Sequence, residues 1–194
     1  MIVQTFMHED YQSMPWKNGL GQTLQLACSH DTMQHFDWRI SIADVNCDSQ
    51  FSTFPQKNRI ISLLEGNGIT LQYQDHQQNI QLKKHDIYYF SGTDPIYASL
   101  VNGAIRDFNL IYQADRYHAE MQCYQQDHCH AYTANLLFVF NASAQALSLK
   151  IDEREYAVNA QQLIKIENNQ QLALDVHIHH PDTTYYVIQL SAFQ

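Results

Sequence analysis

Short runs of β-branched and aromatic residues recur along the whole chain, separated by Gly, Asn, Asp and Pro. Many short strands with frequent turn residues are typical of β-sandwiches and barrels. The only helical signal is a short helix or turn near residues 9–13. The pattern predicts an all-β fold, with strands at residues 23–28, 38–45, 60–64, 69–73, 87–90, 97–100, 104–112, 117–123, 136–140, 146–151, 155–158, 161–166, 172–176 and 184–190.

Four turn segments punctuate these strands. The pair Asn102-Gly103 is of the kind favoured in tight hairpins, because both residue types tolerate positive φ. The segment Glu65-Gly66-Asn67-Gly68 is a similar hairpin signal, and residues 152–154 and 167–169 are further connections between neighbouring strands. We therefore expect hairpins at these places.

Composition limits the classes of partner. The chain has 194 residues and is 45% apolar, which is enough for one sizeable core or for two small barrels sharing one. Its formal charge is −9, from 20 acidic against 11 basic residues, and it has no basic run. Because phosphate backbones and anionic membranes attract clustered Lys and Arg, we expect neither a nucleic-acid nor a membrane partner.

The compartment is inferred from what the chain lacks. No window approaches the ~18 consecutive apolar residues of a membrane span, and the N-terminal residues do not resemble a signal peptide. We therefore expect a cytoplasmic protein. Cys28, Cys47, Cys123 and Cys129 form no CxxC pair. In a reducing compartment they are expected to be free thiols, buried as small apolar residues.

Six sequence blocks in the first 110 or so residues carry a family resemblance. Together and in this order they resemble the HutD/Ves family, although Leu20 stands where that family usually has a third glycine. The blocks are Met14-Pro15-Trp16-Lys17-Asn18-Gly19 followed by Gly21-Gln22-Thr23, then Phe36-Asp37-Trp38-Arg39-Ile40-Ser41-Ile42-Ala43, Phe51-Ser52-x-Phe54-Pro55 followed by Arg59, Leu64-Glu65-Gly66-x-Gly68, Phe90-Ser91-Gly92, and Gly103-Ala104-Ile105-Arg106-Asp107-Phe108-Asn109-Leu110.

The resemblance implies a bicupin, that is, two cupin-like β-barrels of jelly-roll type packed in one chain. We expect an N-terminal barrel at residues 1–115 that carries the motifs and a divergent C-terminal barrel at residues 116–194, with strands exchanged between the two lobes. It also implies an association with histidine utilisation or stress response, in which the protein binds a small carboxylate metabolite in a regulatory role. No catalytic activity is firmly established for the family.

The motif segment has the parts of a polar clamp. Gly19 and Gly21 permit positive φ and close backbone approach, and their N–H groups suit an anion. Lys17 supplies a cation, Asn18 a donor and an acceptor, and Trp16 an apolar wall. The alternative is an ordinary glycine turn anchored by a buried tryptophan.

Two arginines and an asparagine complete the candidate site. In an extended strand Arg39 shares a face with small residues, which suits either a ligand-binding barrel interior or a wet outer surface. Arg59 begins another strand, and Asn109 shares a face with Asp107. Either arginine could instead pair with Asp37 or Asp107. The predicted ligand-binding residues are Trp16, Lys17, Asn18, Gly19, Arg39, Arg59 and Asn109.

We expect no metal and no other cofactor. Metal-binding cupins need a His-x-His pair early in the barrel, but no histidine lies between residues 59 and 73. The available histidines, His128-x-His130 and His177-x-His179-His180, come late in the chain.

Three functions remain open at this point. No nucleophile motif is present, so we favour a carboxylate-binding protein without catalysis. The alternatives are a cupin-type isomerase or hydrolase acting on a histidine-pathway acid, and a protein-interaction module. The first hypothesis predicts that such acids raise the melting temperature, and that Arg39→Ala or Arg59→Ala removes this effect.

Overall fold

A computed structural model describes residues 1–16, 21–30, 35–75, 77–179 and 184–193. Its regular structure is β-strand apart from a short 3₁₀ helix, His8–Asp10, in the region expected to turn. The strands are β1 (Ile2–Phe6), β2 (Gln12–Pro15), β3 (Gly21–Cys28), β4 (Trp38–Val45), β5 (Ser49–Gln50), β6 (Lys57–Glu65), β7 (Ile69–Tyr73), β8 (Asn79–Leu82), β9 (Ile87–Ser91), β10 (Ile96–Leu100), β11 (Ile105–Gln113), β12 (Tyr117–Tyr124), β13 (His128–Tyr132), β14 (Leu136–Asn141), β15 (Leu147–Ile151), β16 (Arg154–Val158), β17 (Leu163–Glu167), β18 (Leu174–His179) and β19 (Tyr185–Ala192).

The chain divides into two compact units. The first unit is Tyr11–Arg116, and the second combines Met1–Asp10 with Tyr117–Gln194. The expected boundary between residues 115 and 116 lies one residue from this division. The first ten residues, expected in the N-terminal barrel, go with the later part of the chain because β1 pairs antiparallel with β17.

The first unit contains a six-stranded sheet, β2-β3-β4-β11-β6-β9, and a four-stranded sheet, β5-β10-β7-β8. Alternate residues of both sheets point inwards and form one apolar core. Its fully buried members come from the larger sheet and from the smaller one, and they include Ile61, Leu63, Ile69, Leu71 and Ile96.

The second unit has the same architecture. Its sheets are β1-β17-β14-β19-β12 and β13-β18-β15-β16, and both supply its apolar core, for example Val139, Ile164, Leu149 and Val176. The prediction of an all-β, cupin-like fold is confirmed, and the pair of sheets in each unit is what the bicupin prediction requires.

Three of the four expected hairpins are instead corners between sheets. Asn102 and Gly103 do adopt positive φ, at 52° and 111°, but they join β10 to β11, which lie in different sheets. Residues 65–68 likewise join β6 to β7, and residues 167–169 join β17 to β18. Only residues 152–154 close a hairpin, between β15 and β16. Turn residues fix the local φ, whereas the partner of each strand depends on distant pairings.

The four cysteines are free thiols, as expected, but the expectation that they are buried is wrong. Cys28, Cys47 and Cys123 are half-buried, and Cys129 is exposed. Cys28 ends β3, and Cys129 lies on β13 at the edge of its sheet, where neighbouring strands cover less of a side chain. Within the described ranges, no helix has the length and apolar character needed to cross a membrane.

Candidate functional site

The interior face of the first barrel is defined by how β4, β11 and β6 pair. Cross-strand partners in antiparallel strands present their side chains on the same face. Ala43, Ile61 and Leu63 belong to the barrel core, so their face looks inwards. Three rows of partners share this face, and they are Arg39–Ile111–Arg59, Ser41–Asn109–Ile61 and Ala43–Asp107–Leu63.

The polar residues on this face are buried. Arg39 and Arg59 are each 8% exposed, Asn109 is 5% exposed and Asp107 is 2% exposed. A wet outer face would leave them largely accessible. The structure therefore places the predicted site residues Arg39, Arg59 and Asn109 inside the barrel rather than on its surface.

Arg59, Asn109 and Asp107 form a hydrogen-bonded chain. Arg59 Nη2 donates to Asn109 Oδ1 at 3.0 Å, and Asn109 Nδ2 donates to Asp107 Oδ1. Arg59 Nη1 also donates to the carbonyl oxygen of Ser52 at 3.3 Å. Arg59 is thus held by an amide and a carbonyl, with the nearby carboxylate reached through Asn109.

Burial has the largest effect on the pKa values of Arg59 and Asp107. It lowers the pKa of Arg59 to about 10, although Asp107 acts in the opposite direction. Burial also raises the pKa of Asp107 to about 7, against the opposing effects of Arg59 and of the Asn109 hydrogen bond. Arg59 is therefore charged at neutral pH, whereas Asp107 changes its charge there.

Arg39 has a different environment. Its buried Nε has no hydrogen-bond partner among the described residues, as is also true of Arg59 Nε. Its neighbours are the rings of Phe36 and Phe54, whose centroids lie 5.0 and 5.3 Å from Cζ. Burial lowers the pKa of Arg39. Asp37, one of its possible partners, instead accepts a hydrogen bond from Arg116 at 2.8 Å.

Aromatic rings connect the two arginines. The Phe54 centroid is 5.3 Å from Arg39 Cζ and 5.7 Å from Arg59 Cζ, so one ring contacts both guanidinium groups. Phe51 and Phe90 each lie 4.8 Å from Arg59 Cζ. Cation–π contacts of this kind partly compensate a desolvated guanidinium but leave its hydrogen-bond donors free.

Lys57 adds a third cation near Arg39. Its Nζ lies 4.6 Å from the Phe36 centroid and donates to the Phe36 carbonyl oxygen and to Gln113 Oε1, each at 2.7 Å. Burial lowers the pKa of Lys57, with Asp37 acting in the opposite direction. The sequence patterns did not predict that Lys57 and the surrounding phenylalanines lie beside the arginines. Phe51, Phe54 and Phe90 stand in the family blocks, but only strand pairing brings them to Arg59.

Gly92 explains part of this arrangement. Phe54 N donates to Gly92 O at 2.7 Å, and Gly92 N donates to Lys57 O at 2.8 Å. A Cβ at Gly92 would collide with the Phe54 carbonyl oxygen and lie 2.7 Å from that of Lys57. The glycine of the Phe90-Ser91-Gly92 block therefore allows the Phe54 segment to approach closely.

The motif segment is anchored at both ends. Trp16 Nε1 donates to Thr23 Oγ1 at 2.9 Å, and Trp16 N donates to Gly21 O at 3.0 Å. A Cβ at Gly21 would lie 2.5 Å from Asp44 O and 3.0 Å from the Trp16 ring. These contacts account for the tryptophan, the second glycine and the threonine of the motif. The predicted site residues Lys17, Asn18 and Gly19, and the unusual Leu20, lie outside the described residues.

Trp16 and the arginines occupy different parts of the interior. Thr23, which binds Trp16, pairs with Ala43 on β4. Ala43 is four residues from Arg39, a distance of roughly 13 Å along an extended strand. The structure thus brings Arg39, Arg59 and Asn109 together and places Trp16 against the barrel core farther along the same face.

The late histidines lie in the second unit. His128 and His130 of β13 pair with the buried Ile178 and Val176 of β18 and so face its interior side. His177 and His179 share the outer face of β18, as expected for an extended segment, and His180 lies outside the described residues. In the portion of the chain that the structure describes, no three His, Cys, Asp or Glu side chains are grouped to hold a metal ion.

Comparison with known proteins gives consistent matches. An uncharacterised 21.2 kDa protein in the hutC 3′ region of Pseudomonas putida is 34% identical over 171 residues, which are 88% of this chain and 90% of that protein. A conserved protein of unknown function from Pseudomonas aeruginosa PAO1 superimposes with a TM-score of 0.90 at 30% identity, covering 98% of this chain and 100% of the other. HutD from Pseudomonas fluorescens SBW25, in a formate condition, gives a TM-score of 0.84 at 28% identity and covers both chains completely (100% each).

The family model named HutD matches residues 8–184, which extends well beyond the six sequence blocks into the second unit. The resemblance inferred from the motifs is thereby confirmed. The chain belongs to the HutD family.

Proposed function

We propose that the interior of the first barrel binds a small carboxylate. The observation that carries this proposal is the buried side chain of Arg39, whose Nε has no hydrogen-bond acceptor among the described residues. A buried charge without a partner is costly, so its presence argues for a partner that arrives from solution. The planar guanidinium fork matches a carboxylate through two parallel hydrogen bonds.

The charge balance of the site supports an anion. Arg39, Arg59 and Lys57 lie near one another, and Asp107 is the buried carboxylate on this face. The excess of positive charge is confined to this site, because the chain as a whole has a net charge of −9. It attracts small anions without making the whole surface basic.

Polar groups beside the arginines suit a second functional group on the ligand. Ser41 is 3% exposed and shares a row with Asn109. A hydroxyl and an amide in this position suit a dicarboxylate or a formyl-amide acid. The surrounding phenylalanine rings would exclude water and strengthen these interactions.

Two relatives support the biological setting that we propose. A 34% identical protein lies in the hutC 3′ region of Pseudomonas putida, and HutD of Pseudomonas fluorescens has a structure in a formate condition. Formate is the smallest carboxylate. We therefore propose a regulatory role in histidine utilisation for this chain, in the cytoplasm, without catalysis and without a cofactor.

A thermal-shift screen tests this proposal. Formate, acetate, glutamate, N-formylglutamate and urocanate are added to the full chain at constant pH and ionic strength. At one hundred times its Kd, a ligand adds about 2.7 kcal/mol to the free energy of unfolding and raises the melting temperature accordingly. Arg39→Ala is expected to remove the shift.

Arg106→Ala is the matched control. Arg106 lies on β11 and pairs with Asp44 at 3.3 Å and Glu65 at 3.7 Å, and it is partly exposed. This variant should keep the ligand shift. If no acid raises the melting temperature of the wild-type chain, the carboxylate proposal is wrong. If nuclear magnetic resonance detects conversion of a bound acid, the enzyme alternative is correct instead.

A further inference from the structure

The thiol of Cys28 lies at the same end of the barrel interior as Arg39. Cys28 is the cross-strand partner of Arg39 in the pairing of β3 with β4, so the two side chains share the interior face. It is half-buried, unlike the fully buried core residues around it, and therefore has some access to solvent.

Two cations lie near this thiol. Arg39 is its cross-strand partner, and the Phe36 ring that contacts the Arg39 guanidinium also contacts Lys57, whose Nζ is 4.6 Å from the ring centroid. Asp37, which lies near Lys57, is engaged by Arg116 through contacts of 2.8 and 2.9 Å. Among the described residues, the charge near Cys28 is therefore predominantly positive.

Arg39 provides an independent sign that this place suits a ligand. It is 8% exposed, its Nε has no partner among the described residues, and its guanidinium lies on the face that Cys28 shares. A negatively charged group next to Cys28 would complete the hydrogen bonding of Arg39. The thiol thus shares the interior face with the proposed anion position.

We propose that Cys28 is a modification site selective for electrophiles that carry a carboxylate. Arg39 binds the carboxylate and so orients the electrophilic carbon toward Sγ. With an α-halo acid, the thiolate forms a C–S bond as the C–X bond breaks, halide leaves and the thiol proton goes to solvent. The product keeps its carboxylate beside Arg39 and blocks the site against a free ligand.

The inference rests on the proposed anion site, but its test is separate. Iodoacetate and iodoacetamide differ mainly in charge, and mass spectrometry of the intact, folded chain reports the alkylation rate of each cysteine. At Cys28 the ratio of the iodoacetate rate to the iodoacetamide rate should exceed that at exposed Cys129 about tenfold, because the cations concentrate the anionic reagent. Added salt should reduce this excess.

Variants and a competing anion identify Arg39 as the cause. Arg39→Ala should bring the rate ratio at Cys28 down to that of Cys129, whereas Arg106→Ala should leave it unchanged. Formate should slow iodoacetate labelling of Cys28 but not of Cys129. If Arg39→Ala does not fold, the salt dependence and the formate protection of the wild-type chain still decide the question.

The outcomes separate the two proposals. Equal rate ratios at Cys28 and Cys129, or a ratio that survives Arg39→Ala, would overturn the modification site while leaving any thermal shift by carboxylates intact. Selective labelling without any such thermal shift would support the role of Cys28 and overturn the metabolite-binding function.

Discussion

The two units share one architecture but bury different chemistry. In the first unit the described interior contains two arginines and an aspartate, Arg39, Arg59 and Asp107. In the second unit the core cluster consists of aliphatic residues and tyrosines, and the buried polar residues that the structure describes there are the uncharged Asn141, Gln162 and Asn168.

The buried side-chain amides of the second unit form hydrogen bonds with the backbone. Asn141 Nδ2 donates to the carbonyl oxygens of Gln145 and Val158 at 2.7 and 2.9 Å. Asn168 Nδ2 donates to that of Leu172 at 2.8 Å. These side chains complete the hydrogen bonding of turns, which is the usual reason for a buried polar group. By contrast, no described carbonyl accepts a hydrogen bond from Arg39 Nε, and the proposed carboxylate would supply an acceptor in the first barrel.

A cavity created by substitution in the core of the second unit tests whether the two units have separate roles. Leu149 is fully buried there. Leu149→Ala should lower the free energy of unfolding by about 3 kcal/mol, since it removes apolar contacts and leaves a cavity. Denaturant unfolding measures this loss, and calorimetry should find the carboxylate Kd of the first barrel unchanged.

Ser148→Ala is the control for this variant, because Ser148 is exposed on the same strand. It should change the free energy of unfolding by less than about 0.5 kcal/mol. If Leu149→Ala weakened carboxylate binding in the folded protein, the second unit would contribute to the site, and the comparison between the units would fail.

The pH dependence of stability provides a second test, with an effect of similar size. Folding raises the pKa of Asp107 from its ordinary value of 3.8 to about 7. Between these values the folded state keeps the proton that the unfolded state releases, so the free energy of unfolding falls as pH rises. The total loss from this group is up to about 4 kcal/mol, and no such loss occurs below pH 3.8, where both states are protonated.

Asp107→Asn should remove most of this slope between pH 4 and 7, as measured by denaturant unfolding at a series of pH values. Glu153→Gln, at a side chain that is 95% exposed, should keep the wild-type slope. Carboxylate binding should also weaken as pH rises through 7, because an ionised Asp107 repels the ligand. Parallel profiles for the wild type and Asp107→Asn would show that Asp107 does not control the pH dependence.

Alternation along single strands could be read from the sequence. It predicted that Arg39, Ser41 and Ala43 share one face, which the pairing of β4 with β11 confirms. Most long apolar strands were also predictable. The strands that were missed include β8 (Asn79–Leu82) and the edge strand β13 (His128–Tyr132), whose polar composition carries little β signal. They also include the apolar β1 (Ile2–Phe6), whose partner β17 lies near the other end of the chain.

Pairing between distant strands could not be read in this way. Arg39 and Arg59 approach each other because β11 lies between β4 and β6, and Phe90 reaches Arg59 because β9 pairs with β6. The pairing of Ile2 with Glu167 joins opposite ends of the chain. Such contacts depend on the packing of the whole barrel, which no local pattern encodes.

The smallest expected changes in stability are those of Arg39→Met and Arg106→Met in the first unit. Arg39→Met keeps the side-chain volume but removes the charge. Because Arg39 Nε has no hydrogen-bond partner among the described residues, the free energy of unfolding should stay constant or rise by about 1 kcal/mol. Arg106→Met, which breaks the partly exposed pairs with Asp44 and Glu65, should lose at most about 1 kcal/mol.

In carboxylate binding, Arg39→Met should have the larger effect of these two variants. Arg39→Met should lose carboxylate binding while remaining as stable as the wild type, and Arg106→Met should bind normally. A residue retained at no benefit to stability, yet needed for binding, is what a functional site requires. If Arg39→Met instead lost 3 kcal/mol or more, Arg39 would be part of a structural pair. The first barrel would then resemble the second, and the carboxylate proposal would lose its main support.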